Sequence, residues 1–259
     1  MAESFLPSRD GFAFDNAWPD QPAVVLPTPF GDIGIGNTGD GLCGGMTFAA
    51  LDYWLARRAP GLERPPADDP LLRYMVNRLI DSWHVPAGVA QYYQWMSLPD
   101  GDVVIRLFGR QVVAERGLGW RTVRVQWPQI RKDLDRGLPV PIGVVTVASK
   151  NPKDLALNHQ VLAFGYRTDG THVTLRVYDP NRGRRDDIAI DMDTSAPAKP
   201  VRFEHNLGLG GRPVRGFFRA AYTPRTPAFA DRERDTADST APETPVRSGS
   251  ITQQAAGRP

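Results

Sequence analysis

Apolar positions in this chain change their period part-way along it, and the change predicts two kinds of structure. Leu72, Met75, Val76, Leu79, Ile80 and Trp83 recur at intervals of three and one, the spacing that lines one face of a helix. Asp69 followed by Pro70 gives that helix an N-cap and a first position. Upstream, Met46, Ala50, Tyr53 and Trp54 form a second stripe and predict a helix from Gly44 to about Arg57. Before it, residues 1–40 read as an extended, turn-rich entry, with a short strand in AVVLPTPF and a glycine-rich loop in GDIGIGNTGDG.

Beyond residue 100 the helical period gives way to runs of strand character. DVVIRLF (102–108), LPVPIGVVTV (138–147), NHQVLAFGYR (158–167) and HVTLRVYDP (172–180) each read as strands. The last two are separated by Thr-Asp-Gly, a hairpin signal. Pro128 opens a short helix carrying Ile130 and Leu134, with Gly137 at its C-terminal end, and RGFFRAAYT (215–223) supplies a closing strand. Helices first and an antiparallel sheet after them is an α+β arrangement.

The pattern stops near Pro224. Residues 224–259 hold one aromatic, Phe229, among Pro, Thr, Ala, Ser and charge, too little apolar surface to offset the entropy of ordering. The expected organisation is a folded domain over 1–223 and a disordered tail over 224–259, the tail being a candidate partner-binding segment or a spacer. The 24 Pro and 25 Gly fit a turn-rich fold rather than a helical bundle. A net charge of +2 on 259 residues carries no basic stripe for nucleic acid. No run approaches the roughly 18 apolar residues of a membrane span, and the first residues lack a basic segment followed by an apolar one. The single cysteine excludes an intramolecular disulfide and fits a reducing compartment, so a cytoplasmic location is expected.

That cysteine carries the candidate chemistry. GLCGGMTFAALDYW (41–54) places Cys43 at the start of a predicted helix, after a glycine-rich run. Backbone amides at a helix N-terminus stabilise an anion, which suits a thiolate nucleophile, and the amide of Cys43 is available to an oxyanion. Gly41, Gly44 and Gly45 are expected to let a substrate backbone come close, and Asn158, beside His159, is counted with them on the substrate side. A thiolate needs a base, and the base needs an orienting group. His159 opens one strand of the predicted hairpin and Asp179 ends the other, so the two are backbone neighbours. Asp-Pro-Asn at 179–181 is also ordinary turn chemistry, with Asn181 as the alternative orienter. His84, His172 and His205 show no metal-ligand spacing, and Gly34, Gly36 and Gly39 lack the strand-to-helix setting of a dinucleotide loop, so neither metal nor cofactor is expected. Tyr92, Tyr93 and Trp95 are expected to pack in a core rather than to line a cleft.

A glycine-flanked cysteine on a helix, a distant NHQVLAFGY strand and then VYDPN resemble the papain-like superfamily, nearest the bacteriocin-leader (double-glycine) peptidase-like branch. The likeness spans roughly residues 20–223, with its specific motifs in 41–54 and 158–181. It implies a helical half carrying the nucleophile, packed on an antiparallel sheet that carries histidine and aspartate. It also implies Cys43 as nucleophile, His159 as general base and Asp179 as orienter of a hydrolase cleaving peptide or other amide bonds through a thioester. The branch usually places a glutamine six residues before the cysteine as an oxyanion donor. Here Asn37 stands at that position, the same amide on a shorter arm. A non-catalytic papain-like peptide-binding module and a transglutaminase-type acyl transferase are the alternatives.

Overall fold

The computed structural model describes residues 4–17, 24–28, 31–35, 42–66, 69–83 and 87–227. A helical turn, α1 (Pro7–Asp10), is followed by a two-stranded ladder of β1 (Val24–Thr28) and β2 (Gly31–Ile35). The first part of the glycine-rich segment expected as a loop is therefore strand. Helices α2 (Cys43–Leu55), α3 (Pro70–Trp83) and α4 (Ala87–Ser97) come next, then a separate hairpin of β3 (Val103–Leu107) and β4 (Arg110–Glu115). Helix α5 (Leu118–Arg121) runs through a π-helical turn over 122–126 into α6 (Trp127–Leu134). The remaining strands are β5 (Val140–Val145), β6 (His159–Asp169), β7 (His172–Tyr178), β8 (Ala189–Asp193), β9 (Phe203–His205) and β10 (Gly216–Arg219).

β5 to β10 make one antiparallel sheet in the order β10-β5-β6-β7-β8-β9. The chain is thus mixed α and β around a curled antiparallel sheet. Both faces of its centre are covered. Val161, Ala163, Leu175 and Val177 point to one side, where Val123, Trp127 and Ile130 of the α5–α6 region close over them. Leu162 and Tyr178 point to the other, against α2, α3 and the N-terminal segment. Burial on both faces explains why every residue of β5 is buried and why its sequence reads as an unbroken apolar run.

α2 is enclosed on almost all sides, not along a single stripe, and lies between α3 and β6. Gly44 and Gly45 make that closeness possible. A Cβ at Gly45 would sit 2.0 Å from the Met75 carbonyl oxygen, and one at Gly44 would sit 2.4 Å from Ser82 Oγ and 2.9 Å from the Gln160 amide. The space left by these two glycines is filled by α3 and β6, not by a cleft for substrate. On α3, Leu72, Met75, Val76 and Leu79 are buried as their spacing predicts, whereas Ile80 is 40% exposed.

Asp52, buried on α2, ties the helical half together. It meets Arg78 Nε at 2.7 Å, accepts from the hydroxyls of Tyr74 (2.9 Å) and Tyr222 (2.6 Å), and accepts from the Arg225 amide at 2.8 Å. Burial raises the Asp52 pKa, and this ring of donors works against the rise. Two of the partners lie at 222 and 225, and Arg58 donates to the Pro227 carbonyl at 2.8 Å. The boundary expected at Pro224 therefore falls too early, because 224–227 is bonded to α2 and the residues following it; the rest of the expected tail lies outside the described residues. No helix among the described residues is long and apolar enough to cross a membrane.

Candidate active site

The hairpin of β6 and β7 brings His159 and Asp179 together by register. Leu162 pairs with Tyr178 and Ala163 with Val177, so continuing the ladder sets Val161 opposite position 179. Alternate residues share a face, which puts His159, Val161, Val177 and Asp179 on one side. His159 is then the diagonal neighbour of Asp179, within side-chain reach. Nε2 of His159 lies 2.7 Å from Asp179 Oδ1, and both side chains are buried, at 4% and 0% exposure.

Asp179 has two tasks at once. It caps the 3-10 turn over Pro180–Arg182, accepting from the Asn181 amide at 2.9 Å, and its second oxygen accepts from the Gly208 amide at 2.7 Å. With His159 that makes three donors on one carboxylate. Burial opposes ionisation here, but the imidazole and the two amides outweigh it and lower the Asp179 pKa. The reverse holds across the bond. Burial alone would depress His159, but the charges of Asp179 and Cys43 and their hydrogen bonds raise it to about 10.

Cys43 is the first residue of α2, preceded by Leu42 at the N-cap, and is partly exposed. It lies close enough to the His159 ring for its charge to help raise the imidazole. Nε2 is held by Asp179, which leaves Nδ1 as the ring nitrogen not engaged by the carboxylate. Cys43 is the accessible member of the three, with His159 and Asp179 both buried.

Searches against protein-family models, characterised proteins and solved structures give no match.

The other expected site residues have different surroundings. Asn158 is buried and uses its amide within the fold, accepting from the Thr146 amide at 3.1 Å and donating to Met96 Sδ at 3.0 Å and the Leu155 carbonyl at 3.1 Å. Its place is to pin the loop before β6 rather than to offer a group to substrate. Asn181 does not reach His159 by its side chain, which donates to the Gly208 carbonyl at 2.8 Å and accepts from Asn16. Asn37 and Gly41 lie outside the described residues. Among the described residues, no group of three or more His, Cys, Asp or Glu is placed to hold a metal ion.

Tyr92, expected only as a core residue, and Gln160, not singled out from sequence, complete the setting. The Tyr92 hydroxyl, on α4, donates to the His159 carbonyl at 3.0 Å. Burial first, and then nearby Cys43, push the Tyr92 pKa well up, so it stays a donor. Tyr92 and Trp95 pack in a core with Phe218, as expected for aromatics at helical spacing, while Tyr93 is more exposed. Gln160 faces the opposite side of β6 from His159 and donates to Ser82 Oγ at 3.2 Å, which fixes the strand against α3. A hollow of about 410 Å³ bordered by Phe48, Arg78 and Arg225 belongs to the Asp52 cluster and includes none of the three residues.

Proposed function

We propose that this chain is a papain-like cysteine hydrolase acting on peptide or other amide bonds, with Cys43 as nucleophile, His159 as its proton partner and Asp179 as the orienter. The supporting observation is the buried His159–Asp179 pair, its carboxylate held by two further donors, with a helix-start thiol near enough for its charge to raise the imidazole. In this reading the imidazole, raised to about 10, is the group that takes the proton from the thiol as it attacks. The first amides of α2 favour the negative charge on sulfur.

The thiolate attacks the carbonyl carbon of the scissile amide, forming a C–S bond and placing charge on the carbonyl oxygen. The amide of Cys43 and the side chain of Asn37 are the donors we assign to that oxygen. His159 gives its proton to the departing amine as the C–N bond breaks, which leaves a thioester on Cys43. A water then loses a proton to His159 and attacks the thioester, and the acid departs as the thiolate returns. Asp179 keeps the ring turned with Nδ1 toward sulfur throughout. Proton transfer by a positioned group of this kind contributes about 10²–10⁴-fold in rate.

Iodoacetamide tests the site without a known substrate. Cys43 should alkylate at neutral pH faster than a free thiol such as glutathione, and His159→Gln should bring it down to the free-thiol rate. Equal rates for the wild type, its His159→Gln variant and glutathione would sink the proposal. With a peptide or amide panel in hand, Cys43→Ala should show no turnover.

A further inference from the structure

We infer that Asn16 is a positioning residue that sets the alignment of the Cys43–His159 pair by clamping the start of α2 to the loops that hold Asp179. The inference rests on the proposed active site and adds a member to it from the N-terminal segment.

The side chain of Asn16 has one partner on each side of the site. Its Oδ1 accepts from the Leu42 amide at 2.9 Å, one residue before Cys43. Its Nδ2 donates to Asn181 Oδ1 at 3.0 Å, two residues after Asp179. Its backbone amide also donates to the Pro180 carbonyl at 2.8 Å, which fixes the segment itself against the 3-10 turn. The orientation of both side-chain amides follows from the ends of this relay. Leu42 N–H can only donate, so it requires the oxygen of Asn16; the Gly208 carbonyl can only accept, so it requires the nitrogen of Asn181. Between those two ends, one arrangement of the two amides satisfies every group.

The relay closes on itself. From Leu42 it passes through Asn16, Asn181 and Gly208 to Asp179 and His159, and Cys43, whose charge acts on the His159 ring, is bonded covalently to Leu42. α2 and the β6–β7 hairpin are different elements; Thr47 Oγ1 donates to the Gln160 carbonyl at 3.2 Å along the body of the helix, and the side chain of Asn16 ties the helix start to the loop after β7. With it removed, the residues just before the packed Gly44–Gly45 pair lose their hold, and the alignment of thiol and imidazole is sensitive to small displacements.

The test is the pH profile of Cys43 alkylation by iodoacetamide in the full chain, with folding followed by circular dichroism and thermal melting. Asn16→Asp is nearly isosteric and keeps the acceptor for Leu42, but sets an acceptor against Asn181 Oδ1; Asn16→Ala removes both bonds. Each should lower the neutral-pH alkylation rate about three- to tenfold, the scale of one lost hydrogen bond, and move the acid limb of the profile toward that of His159→Gln. The Asn16→Ala and Asn181→Ala effects should be less than additive in the double variant, since both break the same relay. Profiles for Asn16→Asp and Asn16→Ala that superimpose on the wild type, while His159→Gln departs from it, would overturn the inference and leave the active site standing. A wild-type profile already matching His159→Gln would remove the thiol–imidazole pair, and the role of Asn16 with it.

Discussion

Two hairpins in this molecule share a local design and have opposite surroundings. β3 and β4 turn through Phe108 and Gly109, both at positive φ (+49° and +82°), while β6 and β7 turn through Gly170, at φ +56°, and Thr171. Both are two-residue connections of the kind whose twist matches the strands they join. The first stands apart from the main sheet, with every residue of both strands exposed. The second is the centre of the six-stranded sheet, exposed at its turn and buried at the other end, where His159 and Asp179 sit. The difference shows what a site of this kind requires from its scaffold. A hairpin supplies adjacency, but the exchange of charge between imidazole and carboxylate gains its strength from exclusion of water, which α2 and the α5–α6 region provide. An exposed hairpin with the same two residues would hold them together much more weakly.

The sharpest way to break the comparison is to remove an apolar side chain from each hairpin. Leu175, on β7, is fully buried, and Leu175→Ala should cost about 2–5 kcal/mol in urea unfolding, the range for a leucine deleted from a packed core. Ile105, on β3, is 46% exposed, and Ile105→Ala should stay within about 0.5 kcal/mol. Equal losses at the two positions would mean that the outer hairpin is covered by something in solution.

A second experiment sharpens the electrostatic half. His159 has a folded pKa of about 10 against an ordinary 6.5, so its contribution to stability is complete below pH 6.5 and is lost as pH rises toward 10. Asp179 is lowered from 3.8, so its contribution is complete above about that pH and is lost on acidification through its lower folded value. Together they predict that the stability gap between wild type and Asp179→Asn is widest between pH 3.8 and 6.5 and closes toward pH 10. Its size should be about 1.5–3 kcal/mol, the scale of a hydrogen bond to a charged group. Melting curves at pH 5, 7 and 9.5 read this directly. A gap that stays constant, or widens with alkali, would contradict the charged pair.

What the sequence discloses follows from how local each constraint is. α3, β5, β6 and β7 are legible because burial of a whole face or both faces imprints a period or a run on consecutive residues. His159 and Asp179 are legible because a hairpin fixes who is beside whom. β4 is hidden because its turn, Leu-Phe-Gly-Arg, lacks the Asn-Gly or Asp-Gly signature, and Phe108 takes a conformation usually left to those residues. β8 and β9 are short edge-side strands with little apolar signal, and α4 has the helical stripe Val89, Tyr92, Trp95 and Met96 diluted by Gly, Ala and Gln. Asn16 leaves no local trace at all. Its partners lie 26 and 165 residues away, and nothing in Asp-Asn-Ala-Trp distinguishes it from a turn.

The smallest effect has the opposite sign and probes the outer hairpin alone. Phe108 is 96% exposed, so its ring gains nothing from burial, yet its backbone is left-handed, a conformation that disfavours side chains with an ordinary Cβ. Asparagine tolerates that region, and Asn-Gly is the preferred pair for this turn. Phe108→Asn should therefore raise stability by about 0.5–1 kcal/mol, read as a higher urea midpoint at unchanged slope. Cys43 alkylation should not change, because the turn belongs to a separate two-stranded ladder. A lower midpoint would show that the ring is in contact with something in solution; β3 and β4 would then share with the central hairpin the burial that now distinguishes them.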